Sequence, residues 1–164
     1  MEDSEYRDGS RKWARDTLLI HAGEHIDQLH GSVTVPIYET ASFAHRSLAD
    51  HQDASDHPSD RSYYSRGYNP TVRALEEKVA ALEGAGATLA FGSGMAAIST
   101  TLLVVLRGAG HLICTDKVFV TTRRWLDQEA AGLGISVSYV DTSDPGAIRA
   151  AVLPTTRAIF VEAF

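Results

Sequence analysis

Apolar positions along this chain change character at Asn69: beyond it they form short runs or recur every three to four residues, and before it they are sparse. Asn69 suits a helix cap, Pro70 suits the first helical position, and Glu76 and Glu77 lie early in the segment. Val72, Leu75, Val79 and Leu82 then share one face, and Gly84 ends the helix. Next comes an alternating series: an apolar run at 88–91, a helix at 95–106, a run at 112–115 and a helix at 121–133. It continues with a strand-like segment at 135–140, a short helix at 145–152 and a last strand at 157–162. Runs without a polar face, separated by helices, predict βα units around a mostly parallel sheet. The fold class is α/β.

The N-terminal third reads differently. Residues 1–17 are highly charged with few large apolar groups, which predicts a mobile arm. Gly23, Gly31 and Pro36 interrupt the next stretch, and the alternation of Val33, Val35 and Ile37 predicts a short extended segment. Residues 46–62, rich in Asp, Ser and His, predict a surface loop. The organisation is therefore an arm at 1–17, an extended segment at 18–68 that needs another subunit to lie on, and an α/β part at 69–164. The last strand, with Ala158, Ile159, Phe160 and Val161 apolar on both faces, belongs inside a sheet covered on both sides. No helix follows to cover it, so the expectation is the first part of a larger domain, incomplete in this chain.

Composition narrows the function classes. A chain of 164 residues with 44% hydrophobic and 22% charged residues has the make-up of a globular protein. A formal charge of −6, with Arg123-Arg124 the only tight basic pair in the second half, excludes a nucleic-acid surface and reads that pair as a solvated helix face. The single cysteine, Cys114, sits in an apolar run and is expected to be buried. No run reaches membrane-spanning length and no signal-peptide pattern is present, so the expected location is the cytoplasm, without a membrane partner. His21 and His25 are four apart, but Gly23 between them and the lack of a third ligand argue against a metal. Asp116, Asp127 and Glu129 read as exposed charges, and Trp125 as a packing residue.

Two blocks carry chemistry. Gly92-Ser93-Gly94 comes after an apolar run and opens a helix, where glycines permit close approach and free N–H groups attract anions. The Gly94 and Met95 amides and the Ser93 hydroxyl suit a phosphate; turn glycines without a ligand are the plain alternative. No G-x-G-x-x-G is present, which excludes a dinucleotide fingerprint. Upstream, Tyr64-Ser65-Arg66-Gly67-Tyr68-Asn69-Pro70-Thr71 supplies a guanidinium and a phenol on one side of an extended segment, again suited to phosphate, although pairing with a surface carboxylate is the common fate of arginine.

Taken with Ile20-His21-Ala22-Gly23, Val35-Pro36-Ile37-Tyr38, Ala81-Leu82-Glu83-Gly84, Thr156 and Val161-Glu162, these blocks resemble, from about residue 17 to 164, the pyridoxal-phosphate enzymes of cysteine and methionine metabolism (cystathionine γ-synthase, cystathionine γ-lyase and methionine γ-lyase). The resemblance implies the N-terminal part of an aminotransferase-like, fold type I domain and pyridoxal 5'-phosphate as cofactor. It implies that Tyr64 and Arg66 reach across a subunit interface to the phosphate of a neighbouring site. Ser93, Gly94 and Met95 would hold the phosphate within their own subunit, and Phe119 would stack on the pyridine ring. The substrates implied are sulfur-containing or γ-substituted amino acids undergoing elimination or replacement.

Two departures matter. The family's usual tyrosine-glycine is Phe119-Val120 here, so stacking survives while proton transfer through a phenol does not. The lysine that forms the Schiff base is also missing: Lys12 lies in the charged arm, Lys78 off the apolar face of a helix in a solvated position, and Lys117 has the wrong flanking residues. No catalytic residue is therefore assigned within these residues. The expected partner is a second polypeptide carrying that lysine, in a hetero-oligomer or together with homo-oligomerisation. A regulatory or interaction subunit and an inactive truncated member are the alternatives.

Overall fold

In the computed structural model, which describes residues 13–27, 30–58, 61–107 and 109–162, the chain forms two compact units, Met1–Ala90 and Phe91–Phe164.

The first unit holds three helices: α1 (Arg15–His21), α2 (Leu48–Asp56) and α3 (Pro70–Glu83). Asn69 caps α3 by accepting the Thr71 N–H at 3.0 Å, Pro70 follows, and Gly84 closes the helix in the left-handed region at φ 63°. The Asn69 amide also donates to Tyr38 O at 2.9 Å, tying the start of α3 to the preceding segment. Of the predicted apolar face, Val79 and Leu82 are half-buried while Val72 and Leu75 are exposed, and α3 buries no residue completely. A lysine of α3 also ties it to α1. Lys78 Nζ donates to Ile20 O and to Glu24 Oε1, both at 3.0 Å, so Lys78 is tied down and not freely solvated as expected. His25 Nε2 lies 2.9 Å from Glu77 Oε2.

Gly23 passes so close to α3 that a Cβ would lie 2.2 Å from Ala74 O, and its φ is +73°. Gly23→Ala combines a left-handed backbone with a clash against main chain, and is expected to destabilise this unit by about 2 kcal/mol or more. A denaturant titration checks it.

Three expectations for this part are corrected. Residues 46–62 are not simply loop, because α2 forms within them: Ser47 Oγ accepts the Asp50 N–H at 3.1 Å and Ala54 is buried. A local cap suffices where no apolar face announces a helix. The arm at 1–17 largely lies outside the described residues, but Arg15 to Thr17 are already helical in α1. The alternating residues around Val35 form no strand; the pairing nearby is a single antiparallel bridge between Ser42 and Tyr64.

The second unit is a three-stranded parallel sheet in the order β2-β1-β3, with β1 (His111–Thr115), β2 (Ser136–Val140) and β3 (Thr156–Phe160). Leu112 pairs with Val137 on one side and Ala158 on the other. Helix α4 (Gly94–Leu106) precedes β1, α5 (Val120–Trp125) follows it, and α6 (Pro145–Ala150) joins β2 to β3. All five β1 residues are buried, as a central parallel strand requires. Leu112 and Cys114 join Leu102, Leu106, Leu126 and Ile135 in the core, with Trp125 packed against it as expected. On the opposite face His111 is buried, its Nδ1 2.7 Å from Thr156 Oγ1 and its Nε2 3.0 Å from Ser138 Oγ.

The alternating series of runs and helices departs from expectation in two places. Residues 88–91 form no strand: the Ala90 N–H donates to the Glu76 side chain at 2.8 Å, while Leu89 and Phe91 are exposed. An apolar run specifies burial or pairing, and here it finds neither. β3 lies at the edge of the described sheet, with Ala158 and Phe160 against the core and Ile159 exposed, as expected of a partial sheet. The helix predicted at 121–133 is helical but uneven, passing from α5 through a π turn (Leu126–Ala130) to a 3₁₀ turn (Ala131–Leu133).

Candidate functional site

The sequence-predicted residues fall into two groups, one in each unit. In the second unit Ser93 caps α4, its Oγ accepting the Ala96 N–H at 3.1 Å and its carbonyl accepting Ala97 N–H at 3.1 Å. That leaves the amides of Gly94 and Met95, the first two helical residues, without a protein acceptor among the described residues. Nothing lies within 4 Å of a Cβ built on Gly92 or Gly94, so the approach to these amides is open. Two free donors, a rotatable hydroxyl and the positive end of a 13-residue helix make a fitting receptor for a phosphate dianion.

The turn is held from beneath. The fully buried Thr122 donates its hydroxyl to Met95 Sδ at 3.4 Å, and Ser99 Oγ donates to Met95 O at 2.7 Å. Phe119 stands one turn before Thr122, immediately ahead of α5, and is 54% exposed. Its N–H donates to Glu162 Oε2 at 2.8 Å and its carbonyl accepts from Arg123 N–H at 3.0 Å.

In the first unit the Tyr64–Arg66 block is a turn and not the extended segment expected, since Tyr64 O accepts from both Gly67 N–H (2.9 Å) and Tyr68 N–H (3.1 Å). Ser65 pins it: its N–H donates to Ala41 O at 2.9 Å, its hydroxyl donates to Thr40 O, and the Asn69 amide donates to Ser65 Oγ at 3.0 Å. Tyr64 and Arg66 remain exposed, with the guanidinium carbon 5.0 Å from the Tyr64 ring centroid. The turn brings the two together as well as an extended segment would have, and aims them at solvent.

Sequence reading missed a second polar cluster. Arg123, read as a solvated charge, stacks over Tyr139 with its guanidinium carbon 3.4 Å from the ring centroid, and its Nε donates to Asp127 Oδ2 at 3.0 Å. Tyr139 donates its hydroxyl to Asp127 Oδ1 at 2.6 Å. That hydroxyl, followed by Arg123, holds the Asp127 carboxyl below its ordinary range, and burial together with Asp127 pushes the Tyr139 phenol up. The one advance signal was the four-residue spacing of Arg123 and Asp127 on a helix. Glu162 was likewise noticed only as part of a sequence match.

Cys114 is buried as expected. Burial, then the negative charge of Glu162, push its thiol up to about 11. An unfolded chain releases this proton near pH ~8.5 while the folded chain keeps it, so the unfolded state binds fewer protons in between. This group therefore makes stability fall as pH rises from about 8.5 to about 11. Thermal melts across that window should decline more steeply for the parent than for Cys114→Ala.

The family model for the Cys/Met metabolism PLP-dependent enzymes matches residues 16–164. The chain belongs to that family. It is 41% identical over 146 residues to a probable cystathionine gamma-synthase of Herpetosiphon aurantiacus, covering 89% of this chain and 43% of the relative. A cystathionine gamma-lyase of Bacillus subtilis is 36% identical over 148 residues, covering 90% of this chain and 37% of that protein. Among solved structures, metB from Corynebacterium glutamicum superposes with a TM-score of 0.83 at 34% identity, over 93% of this chain and 38% of that one. The fold is thus that of fold type I pyridoxal-phosphate enzymes, and the family depends on that cofactor. The chain spans well under half the length of these relatives. Among the described residues no helix is long and apolar enough to cross a membrane.

Proposed function

We propose that this chain supplies the phosphate-holding part of a pyridoxal-phosphate site in an enzyme acting on sulfur-containing or γ-substituted amino acids. The observation that carries the reading is the pair of open amides at Gly94 and Met95, tied through Thr122 to α5, the helix that the exposed Phe119 precedes. Gly94, Met95 and Ser93 would hold the phosphate, and Phe119 would give the cofactor ring an apolar face and exclude water from it. Tyr64 and Arg66, exposed on a pinned turn, would serve the phosphate of a neighbouring subunit's site. When bound, the cofactor supplies an electron-withdrawing ring that weakens bonds at the α-carbon of an amino acid. Phe119 can neither donate nor accept a proton, so any proton shuttle is provided by another group.

The lysine that carries the cofactor is, in this reading, none of the three within residues 1–164. Lys78 is committed to Ile20 and Glu24, and Lys117 lies exposed between Asp116 and Val118. Lys12 falls outside the described residues. Exposed apolar side chains on α3 (Val72, Leu75) and on α4 (Val104, Val105) support an oligomeric assembly that covers them.

The test is made on the assembled protein. Phe119→Leu should release the cofactor more readily, by about 0.5–1.5 kcal/mol, as expected for loss of an aromatic pair. Phe119→Tyr should bind as the parent does and raise release of 2-oxobutyrate from a γ-substituted amino acid. Parent-like cofactor affinity in Phe119→Leu would remove the stacking assignment.

A further inference from the structure

We infer that Glu162 is a positioning residue that fixes the Phe119 ring for the cofactor, an inference that rests on the proposed stacking role of Phe119. Phe119 opens α5 with non-helical backbone angles, φ −51° and ψ 135°, and has no side-chain group with which to cap the helix. Its ring makes no aromatic contact among the described residues, so the backbone, which sets the direction of the Cα–Cβ bond, is the part of Phe119 held by hydrogen bonds. Two bonds hold that backbone: the carbonyl to Arg123 N–H, internal to the turn, and the N–H to Glu162 Oε2 at 2.8 Å. The second is the long-range one, spanning 43 residues.

Topology explains why Glu162 can reach. β1 and β3 are adjacent parallel strands with Cys114 opposite Phe160, so their C-terminal ends lie side by side. Phe119 comes shortly after the end of β1, and Glu162 shortly after the end of β3. Ligands of open parallel sheets bind beyond the carboxyl ends of strands, which is where this bond sits. Val118 is buried beside it and Thr122 is anchored to Met95, so the carboxylate closes a turn already fixed at its other corners. Ring and phosphate end are thereby held in one register.

The experiment compares Glu162→Ala and Glu162→Gln with the parent in the assembled protein. Hydrogen–deuterium exchange is followed at the Phe119 amide, together with affinity for pyridoxal phosphate and, separately, for inorganic phosphate, which engages the phosphate-holding groups and not the Phe119 ring. Glu162→Ala should speed exchange at Phe119 and weaken pyridoxal phosphate about tenfold, with inorganic phosphate unchanged. Glu162→Gln keeps an acceptor and should return the affinity to within about threefold of the parent. Parent-like pyridoxal phosphate affinity in Glu162→Ala, when Phe119→Leu is weakened, would overturn the positioning role alone. Parent-like affinity in Phe119→Leu would overturn the stacking reading and this inference with it. Equal losses of both ligands with a lowered melting temperature would show that Glu162 supports the fold and does not position the ring.

Discussion

Gly94→Asp is expected to fold as the parent does and to lose its hold on the cofactor phosphate. A Cβ at this position meets nothing within 4 Å, and its φ is not in the left-handed region, so the backbone accepts a side chain. An acidic residue in the first helical turn favours the helix by about 0.3–1 kcal/mol. The same carboxylate occupies the open space before the Gly94 and Met95 amides and repels a dianion. Two hydrogen bonds to a charged group, each worth about 1.5–3 kcal/mol, are then forfeited along with the favourable field. Affinity for pyridoxal phosphate should fall at least about 100-fold while the melting temperature stays at or above that of the parent. Retained affinity would place the phosphate away from α4.

Arg66→Ala should weaken cofactor retention by about 10- to 100-fold, against about fivefold for Tyr64→Phe. The guanidinium offers a charge-assisted, potentially paired contact, whereas the phenol offers one neutral donor. The geometry sharpens the contrast. Tyr64→Phe keeps the ring under the Arg66 guanidinium, so the residue with the larger contribution stays oriented. Ser65, which pins the turn, is untouched in both variants. Equal affinities, measured by cofactor titration of the assembled protein, would show that Arg66 does not touch the phosphate.

What the sequence made legible was local. The caps Asn69 and Gly84 act on neighbours within four residues, and both are found where side chain or backbone freedom requires. The buried run of β1 was visible because a central parallel strand needs no polar face. What stayed hidden was either too polar or too distant. Helix α2 has no apolar stripe to betray it, its single buried residue being Ala54. The stack of Arg123 on Tyr139 and the bond from Phe119 to Glu162 join residues brought together only by the parallel sheet. The order of the strands is a matter of pairing, which an apolar run cannot encode.

The same distinction applies to the candidate site. The phosphate receptor at α4 was readable because glycine, serine and helix start are consecutive, but the lock from Thr122 to Met95 beneath it was not. The Tyr64–Arg66 proximity was anticipated for an extended strand and is produced by a turn. Residue chemistry survived the change of backbone because the two side chains are only two positions apart.

The most direct measurement is a structure of the assembled protein with pyridoxal phosphate bound. The account predicts phosphate oxygens about 2.7–3.2 Å from the amide nitrogens of both Gly94 and Met95, with the cofactor ring against Phe119. A phosphate seated elsewhere, with those two amides left to water, would contradict it.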